Sequence, residues 1–180
     1  MQALVEDLLL LARADEQNLT AVARPVDLDD LVLDEVRRLR ERGVVTVDTR
    51  EVSAGRVLGD AAALQRLVRN LADNAERHAR SAVHFAVATH GAQVTLSVSD
   101  DGPGVPVAER QRIFERFVRL DDARARDTGG AGLGLAIVAA VAGAHRGTVH
   151  VEGTNGARAS ESAGMHARKA APPPGTSPPS

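Results

Sequence analysis

Apolar residues recur at helical spacing in several segments of the chain, which predicts amphipathic helices. The predicted helices cover residues 1–17, 28–43, 60–79 and 133–144, and a charged helix is predicted over 107–117. Asp27 is the predicted N-cap of the second helix, and Gly43 is predicted to end it. Asp60 is the predicted N-cap of the helix that follows. The segment 133–144 is almost entirely apolar.

Alternating or short apolar runs predict strands between these helices. The predicted strands are 44–49, 56–58, 82–89, 93–99 and 147–152, with a hairpin at His90-Gly91. Strands that alternate with helices predict an α/β or α+β domain of two layers over residues 25–152.

The two ends of the chain differ from this domain. The helix of residues 1–17 is marginal by itself and is interpreted as the end of something longer. From Gly153 onward large apolar residues are missing except Met165, and the chain closes on a Pro- and Ser-rich segment. Residues 153–180 are therefore predicted to form a disordered tail.

Composition excludes several classes of function. The 180 residues carry a net charge of −2, so the chain has no overall basic field to attract nucleic acid. The absence of Cys excludes disulfides, thiolate zinc sites and Cys nucleophiles. The only lysine is Lys169 in the tail, so a P-loop lysine and the strand lysine of a eukaryotic-type protein kinase are both missing.

Two asparagines lie on one face of the helix 60–79, opposite its leucines. Asn70 and Asn74 are four residues apart, and Arg77 and His78 continue the same face. Asn is a mediocre helix former, so two of them cost stability. Their amide oxygens suit a hard cation, and Arg77 would neutralise phosphate. The alternative is a solvated polar face.

A carboxylate ends the strand 93–99. The strand's alternation places Asp100 on the buried face, which is costly unless a donor reaches the carboxylate. An adenine amino group is such a donor, and Gly102 and Gly104 would allow a flat base to approach the backbone. The alternative is a plain turn.

A glycine cluster opens directly into the apolar helix. It runs Gly129-Gly130-Ala131-Gly132-Leu133-Gly134. Glycines before a helix N-terminus present backbone N–H groups to phosphate. The alternative is a flexible hinge.

Together, these three segments resemble the N, G1 and G2 boxes of the sensor histidine kinase catalytic domain, in the wider superfamily of gyrase, Hsp90, histidine kinases and MutL. The segment 113–119 matches that family's F box, and residues 4–13 look like the end of its second dimerisation helix. The resemblance covers about residues 1–152 and implies an α+β two-layer sandwich of the Bergerat type, a mixed sheet on three helices. It also implies three parts: a helix stub (1–17), the catalytic domain (25–152) and an atypical tail (153–180).

The resemblance implies a Mg-ATP site. Asn74 and Asn70 would hold Mg²⁺, and Arg77 and His78 would line the nucleotide. Asp100 would accept from the adenine amine, above Gly102 and Gly104. Residues 118–131 would form a lid that brings Arg119 and Arg124 to the γ-phosphate, and the triphosphate would be cradled by Gly130, Gly132, Leu133 and Gly134.

The function so implied is transfer of the γ-phosphate of ATP to a histidine on a dimerisation domain, and from there indirectly to a response regulator. The parent protein would be a homodimer anchored in a membrane, with this domain on the cytoplasmic side and no nucleic acid partner. The alternatives are a serine kinase of the anti-sigma-factor type and a degenerate nucleotide-binding or interaction module.

Two departures from the family pattern are expected. None of the six histidines is placed as a phosphoacceptor, so this chain alone should not autophosphorylate. The stub of residues 1–17 offers too little apolar surface for a four-helix dimer interface, so the chain should be mostly monomeric. The final sheet strand is predicted to be missing or replaced after Val151, and its absence would leave an exposed sheet edge. His84 and His90 are interpreted as ordinary sheet or surface residues, and His145 as a C-terminal cation or contact.

Overall fold

The computed structural model describes residues 2–15, 23–118, 132–153 and 161–168. Within these ranges the helices are Gln2–Asp15 (α1), Leu28–Arg42 (α2), Ala61–His78 (α3) and Gly134–Ala144 (α4). The strands are Arg24–Asp27 (β1), Thr46–Val52 (β2), Arg56–Gly59 (β3), Ala82–His90 (β4), Gln93–Asp100 (β5), Thr148–Gly153 (β6) and Glu161–Arg168 (β7).

A mixed sheet forms one layer of the fold. Its strand order is β2-β4-β5-β7-β6, with β2 parallel to β4 and all other neighbours antiparallel, while β1 and β3 form a separate two-stranded ribbon. The predicted hairpin is confirmed: β4 pairs with β5 from Val83 opposite Asp100 to His90 opposite Gln93. Gly91, in the turn, has a φ of +57°, which favours glycine.

The core lies between this sheet and the helices. β5 buries Val94, Leu96 and Val98, and the polar residues between them are more exposed. α3 presents its leucines to the same core, as the period of its sequence predicts. The fold is the predicted α+β arrangement of a mixed sheet with helices.

The helix ends follow the sequence expectations in part. Asp60 caps α3, where its carboxylate accepts a hydrogen bond from Ala63 N at 2.8 Å. Gly43 ends α2 in the left-handed conformation. Asp27 occupies the N-cap position of α2 without capping it, because its carboxylate binds the Arg56 guanidinium at 2.6 and 2.9 Å, which also lowers the pKa of Asp27.

α1 packs onto the domain instead of standing apart. Leu11 is 2% exposed within the core, and Asp7 forms an ion pair with Arg66 of α3, whose Nε lies 2.9 Å from the carboxylate. Val5, Leu8 and Leu9 on its other side are exposed. None of the helices in the described ranges is long and apolar enough to cross a bilayer.

The predicted charged helix over 107–117 is wrong. The structure has two short 3-10 helices there, Val107–Glu109 and Arg112–Phe114. Only Ile113 of these two turns is buried, so a longer helix would gain little from packing. Phe117 adopts a φ of +65°, which is incompatible with continuing a right-handed helix.

The expected absence of a final sheet strand is also wrong. β7 lies between β5 and β6, and its register runs from Glu161 opposite Asp100 to Arg168 opposite Gln93. A strand between two partners is held by backbone hydrogen bonds on both sides, and these require no large apolar side chains. The sparse apolar composition after Gly153 therefore concealed it. The borders at 17, 25 and 152 stay predictions.

This arrangement predicts that the chain needs its segment beyond Gly153. The free energy of unfolding of a typical domain is about 5–15 kcal/mol. A chain that ends after Gly153 should lose most of this free energy, because β6 then has no neighbouring strand in the described sheet. A chain that ends after Arg168 is the matched control and should unfold cooperatively, like the parent. Urea unfolding followed by circular dichroism measures both, and equal midpoints for the two truncations would contradict the placement of β7.

Candidate functional site

The polar face of α3 is held in place by its own backbone. Asn70 and Asn74 are half-buried, Arg77 is exposed, and the side-chain N–H₂ of Asn70 donates to the carbonyl of Arg66 at 2.9 Å. This bond orients the amide, so that its oxygen remains available to a ligand. The leucines of α3 are buried, and the rotation of about 100° per residue places Leu67 and Leu71 beside Asn74. The asparagines therefore lie at the border of the buried face, and the prediction that they lie opposite the leucines is wrong.

Asp100 ends β5 as a buried carboxylate. It is 6% exposed, and one of its oxygens accepts from Gly102 N at 2.8 Å. Burial raises the pKa of Asp100, and the nearby charge of Asp101 raises it further, while the hydrogen bond from Gly102 acts in the opposite direction. A buried carboxylate with one backbone donor retains unused capacity to accept hydrogen bonds.

Gly102 brings the end of β5 against the end of α3. A Cβ at this position would lie 2.4 Å from the backbone carbonyl oxygen of His78 and 2.5 Å from Oδ1 of Asp100. Neither distance leaves room for a side chain. The first two predicted segments therefore meet at Gly102, where the His78 carbonyl and the Asp100 carboxylate both lie close to its Cα.

The start of α4 lies beside the same helix. A Cβ on Gly134 would lie 3.1 Å from Oδ1 of Asn70, and Leu133 precedes it as the buried N-cap residue, whose side chain caps nothing. Gly132 has a φ of +72°, and its carbonyl accepts from Phe117 N at 3.0 Å. The third predicted segment thus approaches Asn70, which is one helical turn before Asn74.

The remaining predicted residues divide into two groups. Gly104 follows Asp100 with a φ of +77°, and a Cβ there would have no atom within 4 Å, so its need for glycine is conformational. Arg119, Arg124 and Gly130 lie outside the described residues. Within the described ranges, no three His, Asp or Glu side chains form a group that could hold a metal ion.

Sequence reasoning missed the contribution of Asp101. Its carboxylate accepts from Ser81 Oγ at 2.6 Å and from the N–H groups of Arg80, Ser81 and Ala82 at 2.7, 3.0 and 3.1 Å. These hydrogen bonds, the Ser81 hydroxyl first, hold the pKa of Asp101 well below its usual range. The sequence offered two signals for this role: the carboxylate of Asp101 directly after Asp100, and the short loop that follows α3.

His145 is a contact and not a cation. It is buried at the end of α4, its Nδ1 lies 2.7 Å from the carbonyl of Val141, and its Nε2 accepts from Asp60 N at 3.0 Å. A ring that donates on one side and accepts on the other is neutral. His84 lies between Asp48 and Glu51 on the sheet, at 3.5 and 3.4 Å.

Comparison with known proteins places the chain in a family. The sequence profile of the family described as "Histidine kinase-, DNA gyrase B-, and HSP90-like ATPase" matches residues 59–170, and the chain belongs to that family. The resemblance to the ATP-binding catalytic domain of sensor histidine kinases is thereby confirmed.

Two curated relatives are sensor proteins. The chain is 41% identical over 157 residues to the probable sensor histidine kinase TcrY of Mycobacterium tuberculosis, covering 85% of this chain and 33% of that protein. It is 42% identical over 158 residues to the sensor protein RstB of Escherichia coli, covering 84% of this chain and 36% of that protein. The chain thus spans about a third of the length of the curated relatives it matches.

Solved structures share the fold. The mycobacterial sensor histidine kinase MprB superposes with a TM-score of 0.72 at 28% identity, covering 82% of this chain and 98% of that one. Full-length ShkA in complex with AMPPNP superposes with a TM-score of 0.74 at 30% identity, covering 95% and 36%.

The contact at Gly102 yields a prediction about stability. Gly102→Ala should lower the free energy of unfolding by about 1–3 kcal/mol, because the new methyl group meets the His78 carbonyl and forces α3 and β5 apart. Gly143→Ala is the matched control, since a Cβ there meets no atom within 4 Å, and it should be neutral or stabilising by up to about 1 kcal/mol. Chemical denaturation measures both, and equal effects would refute the close contact.

Proposed function

We propose that the chain binds Mg-ATP between α3, the end of β5 and the start of α4, and serves as the catalytic domain of a sensor histidine kinase. The observation that carries this proposal is the buried carboxylate of Asp100, with its raised pKa, beside a glycine that leaves no room for a side chain. The proposed roles of the predicted residues follow from their positions around it.

Asp100 is the proposed adenine acceptor. A carboxylate oxygen that receives an N–H₂ hydrogen bond from the base recovers part of the solvation lost on burial. The same oxygen repels a base that presents a carbonyl at this position, so the contact selects an amino-purine. Gly102 and Gly104 lie next to it in the turn and have no side chains to block a flat ring.

Asn70 and Asn74 are the proposed magnesium ligands. Amide oxygens are hard neutral donors that suit Mg²⁺, which usually shares its coordination with substrate phosphates and water. The bond from Asn70 to the Arg66 carbonyl presents the amide oxygen toward Gly134, at the N-terminus of α4. A bound Mg²⁺ would neutralise phosphate charge, and the residues present fit that task.

Phosphate binding is assigned to the start of α4 and to arginines. Gly132, Leu133 and Gly134 precede or open the helix, whose free N–H groups favour anions. Arg77 and His78 extend the face of α3 toward the nucleotide. Arg119, Arg124 and Gly130 keep the roles that the family resemblance implies for them.

The proposed partner in the reaction is a dimerisation domain that bears the acceptor histidine, with a response regulator downstream. α1 is proposed as the end of such a domain, and its contact with α3 through Asp7 and Arg66 supports that interpretation. We propose that the full-length parent is a homodimer whose catalytic domain works on the cytoplasmic side of a membrane.

Titration calorimetry tests the nucleotide proposal. We expect the chain to bind ATP in the presence of Mg²⁺ about tenfold to a hundredfold more tightly than inosine triphosphate, which carries a carbonyl in place of the adenine amine. Binding of neither nucleotide would favour a degenerate interaction module. Equal binding of both would refute the role of Asp100.

Asn74→Ala tests the magnesium assignment. The variant should bind Mg-ATP at least about tenfold more weakly than the parent, and chelation of Mg²⁺ should then weaken it little further, because the lost ligand acts through the metal. Arg69→Ala is the control on the exposed side of α3 and should keep the full sensitivity to chelation. An Asn74→Ala variant that binds like the parent with Mg²⁺ present would overturn the assignment.

Asp100→Asn separates affinity from stability. An amide presents an N–H₂ group where an acceptor is needed, so ATP affinity should fall about tenfold to a hundredfold. Because burial raises the pKa of Asp100, its carboxyl group binds a proton more tightly in the native state than in the unfolded chain. The free energy of unfolding of the parent therefore falls as the pH rises from the pKa of the unfolded state through that of the native state. The uncharged variant should therefore equal or exceed the parent in unfolding free energy at pH 7, with the difference shrinking toward pH 3.

Calorimetry and denaturation at both pH values measure these effects. Asp48→Asn, on the edge strand β2, is the control that should leave ATP affinity unchanged. If Asp100→Asn keeps the ATP affinity of the parent, Asp100 does not contact the adenine. If Asp100→Asn is less stable than the parent at pH 7, burial of the Asp100 carboxylate is not costly.

A further inference from the structure

The Asp101 carboxylate gathers the loop that links α3 to β4. Three consecutive backbone N–H groups, of Arg80, Ser81 and Ala82, donate to the same oxygen, and the Ser81 hydroxyl donates to the other. In addition, the backbone N–H of Asp101 donates to the carbonyl of Ala82 at 3.3 Å. The loop therefore depends for its hydrogen bonds on the side chain of the residue that follows β5.

This loop begins directly after His78, the last residue of α3. The His78 carbonyl is the atom against which Gly102 packs, and Gly102 N in turn donates to Asp100. Asp101 thus lies in the sequence between Asp100 and Gly102, the two residues on which the proposed adenine contact depends. A shift of the loop would move the His78 carbonyl, then Gly102, then the hydrogen bond that orients the Asp100 carboxylate.

We propose that Asp101 is a positioning residue that sets the specificity of the site. It fixes Asp100 for an amino-purine by holding Arg80 and Ser81 of the loop and Ala82 at the start of β4. The inference rests on the proposed adenine site. The Asp101 carboxylate faces Arg80, Ser81 and Ala82, from which it accepts its hydrogen bonds, whereas Asp100 is buried at the end of β5.

The chemistry of the contact predicts which substitutions are tolerated. Asn retains one oxygen for the three N–H groups, and its N–H₂ can donate to Ser81 Oγ, which then acts as acceptor. Ala leaves all four donors without this partner. Glu keeps the charge but displaces the carboxylate by one methylene, so it cannot satisfy the same donors without moving the loop.

The test compares ATP with inosine triphosphate, both with Mg²⁺, by calorimetry well below the unfolding midpoint of each variant. Asp101→Ala should reduce the ratio of the ATP affinity to the inosine triphosphate affinity about tenfold. Most of the change should be a weaker affinity for ATP, because a displaced Asp100 no longer accepts a hydrogen bond from the adenine amine. Asp101→Asn should retain most of the preference. Asp48→Ala is the matched control, since Asp48 is another carboxylate held by local hydrogen bonds, to Arg50, and it should leave the ratio unchanged.

The outcomes separate a positioning residue from a merely structural one. An Asp101→Ala protein that loses affinity for both nucleotides equally, and so keeps the parent ratio, would overturn the inference. If Asp101→Ala does not fold, Asp101→Glu is judged by the same ratio. A parent without preference for ATP would refute the proposed adenine site and the inference with it, whereas a parent that prefers ATP with an unchanged variant ratio would refute only the inference.

Discussion

The candidate site depends on one close approach, between Gly102 and the carbonyl of His78. Because a Cβ on Gly102 would lie 2.4 Å from that oxygen, the end of β5 and the end of α3 are in direct contact. The C-terminal end of α3, which follows Asn70 and Asn74, is thereby placed against the turn that follows Asp100.

Two adjacent carboxylates at this point serve opposite purposes. Asp100 is buried with one backbone donor, and its pKa is raised, so it is a costly group that a ligand can satisfy. Asp101 is surrounded by donors from Arg80 to Ala82, and its pKa is lowered. Asp100 is the last residue of β5, whereas Asp101 follows the strand and accepts from the segment after α3. Identical side chains thus differ in role because their hydrogen-bond environments differ.

Features with a local cause could be predicted from the sequence, while those set by distant partners could not. The stripe of α3, the hairpin at Gly91 and the burial of Asp100 follow from periodicity and turn chemistry. β7 forms because β5 and β6 offer hydrogen bonds on both sides, which no composition reveals. The failure of the helix over 107–117 reflects missing burial, and the donors to Asp101 come from a loop twenty residues earlier.

The orientation of the asparagine face is determined by contacts on the other sides of α3. Its leucines fix the helix against the core, and Asp73 accepts from Arg38 of α2 at 2.6 Å. Arg66 is held by Asp7 of α1, while its carbonyl accepts from Asn70. The residue that contacts α1 and the residue that faces the start of α4 are therefore joined by one hydrogen bond, so α1 and the candidate site share the same turn of α3.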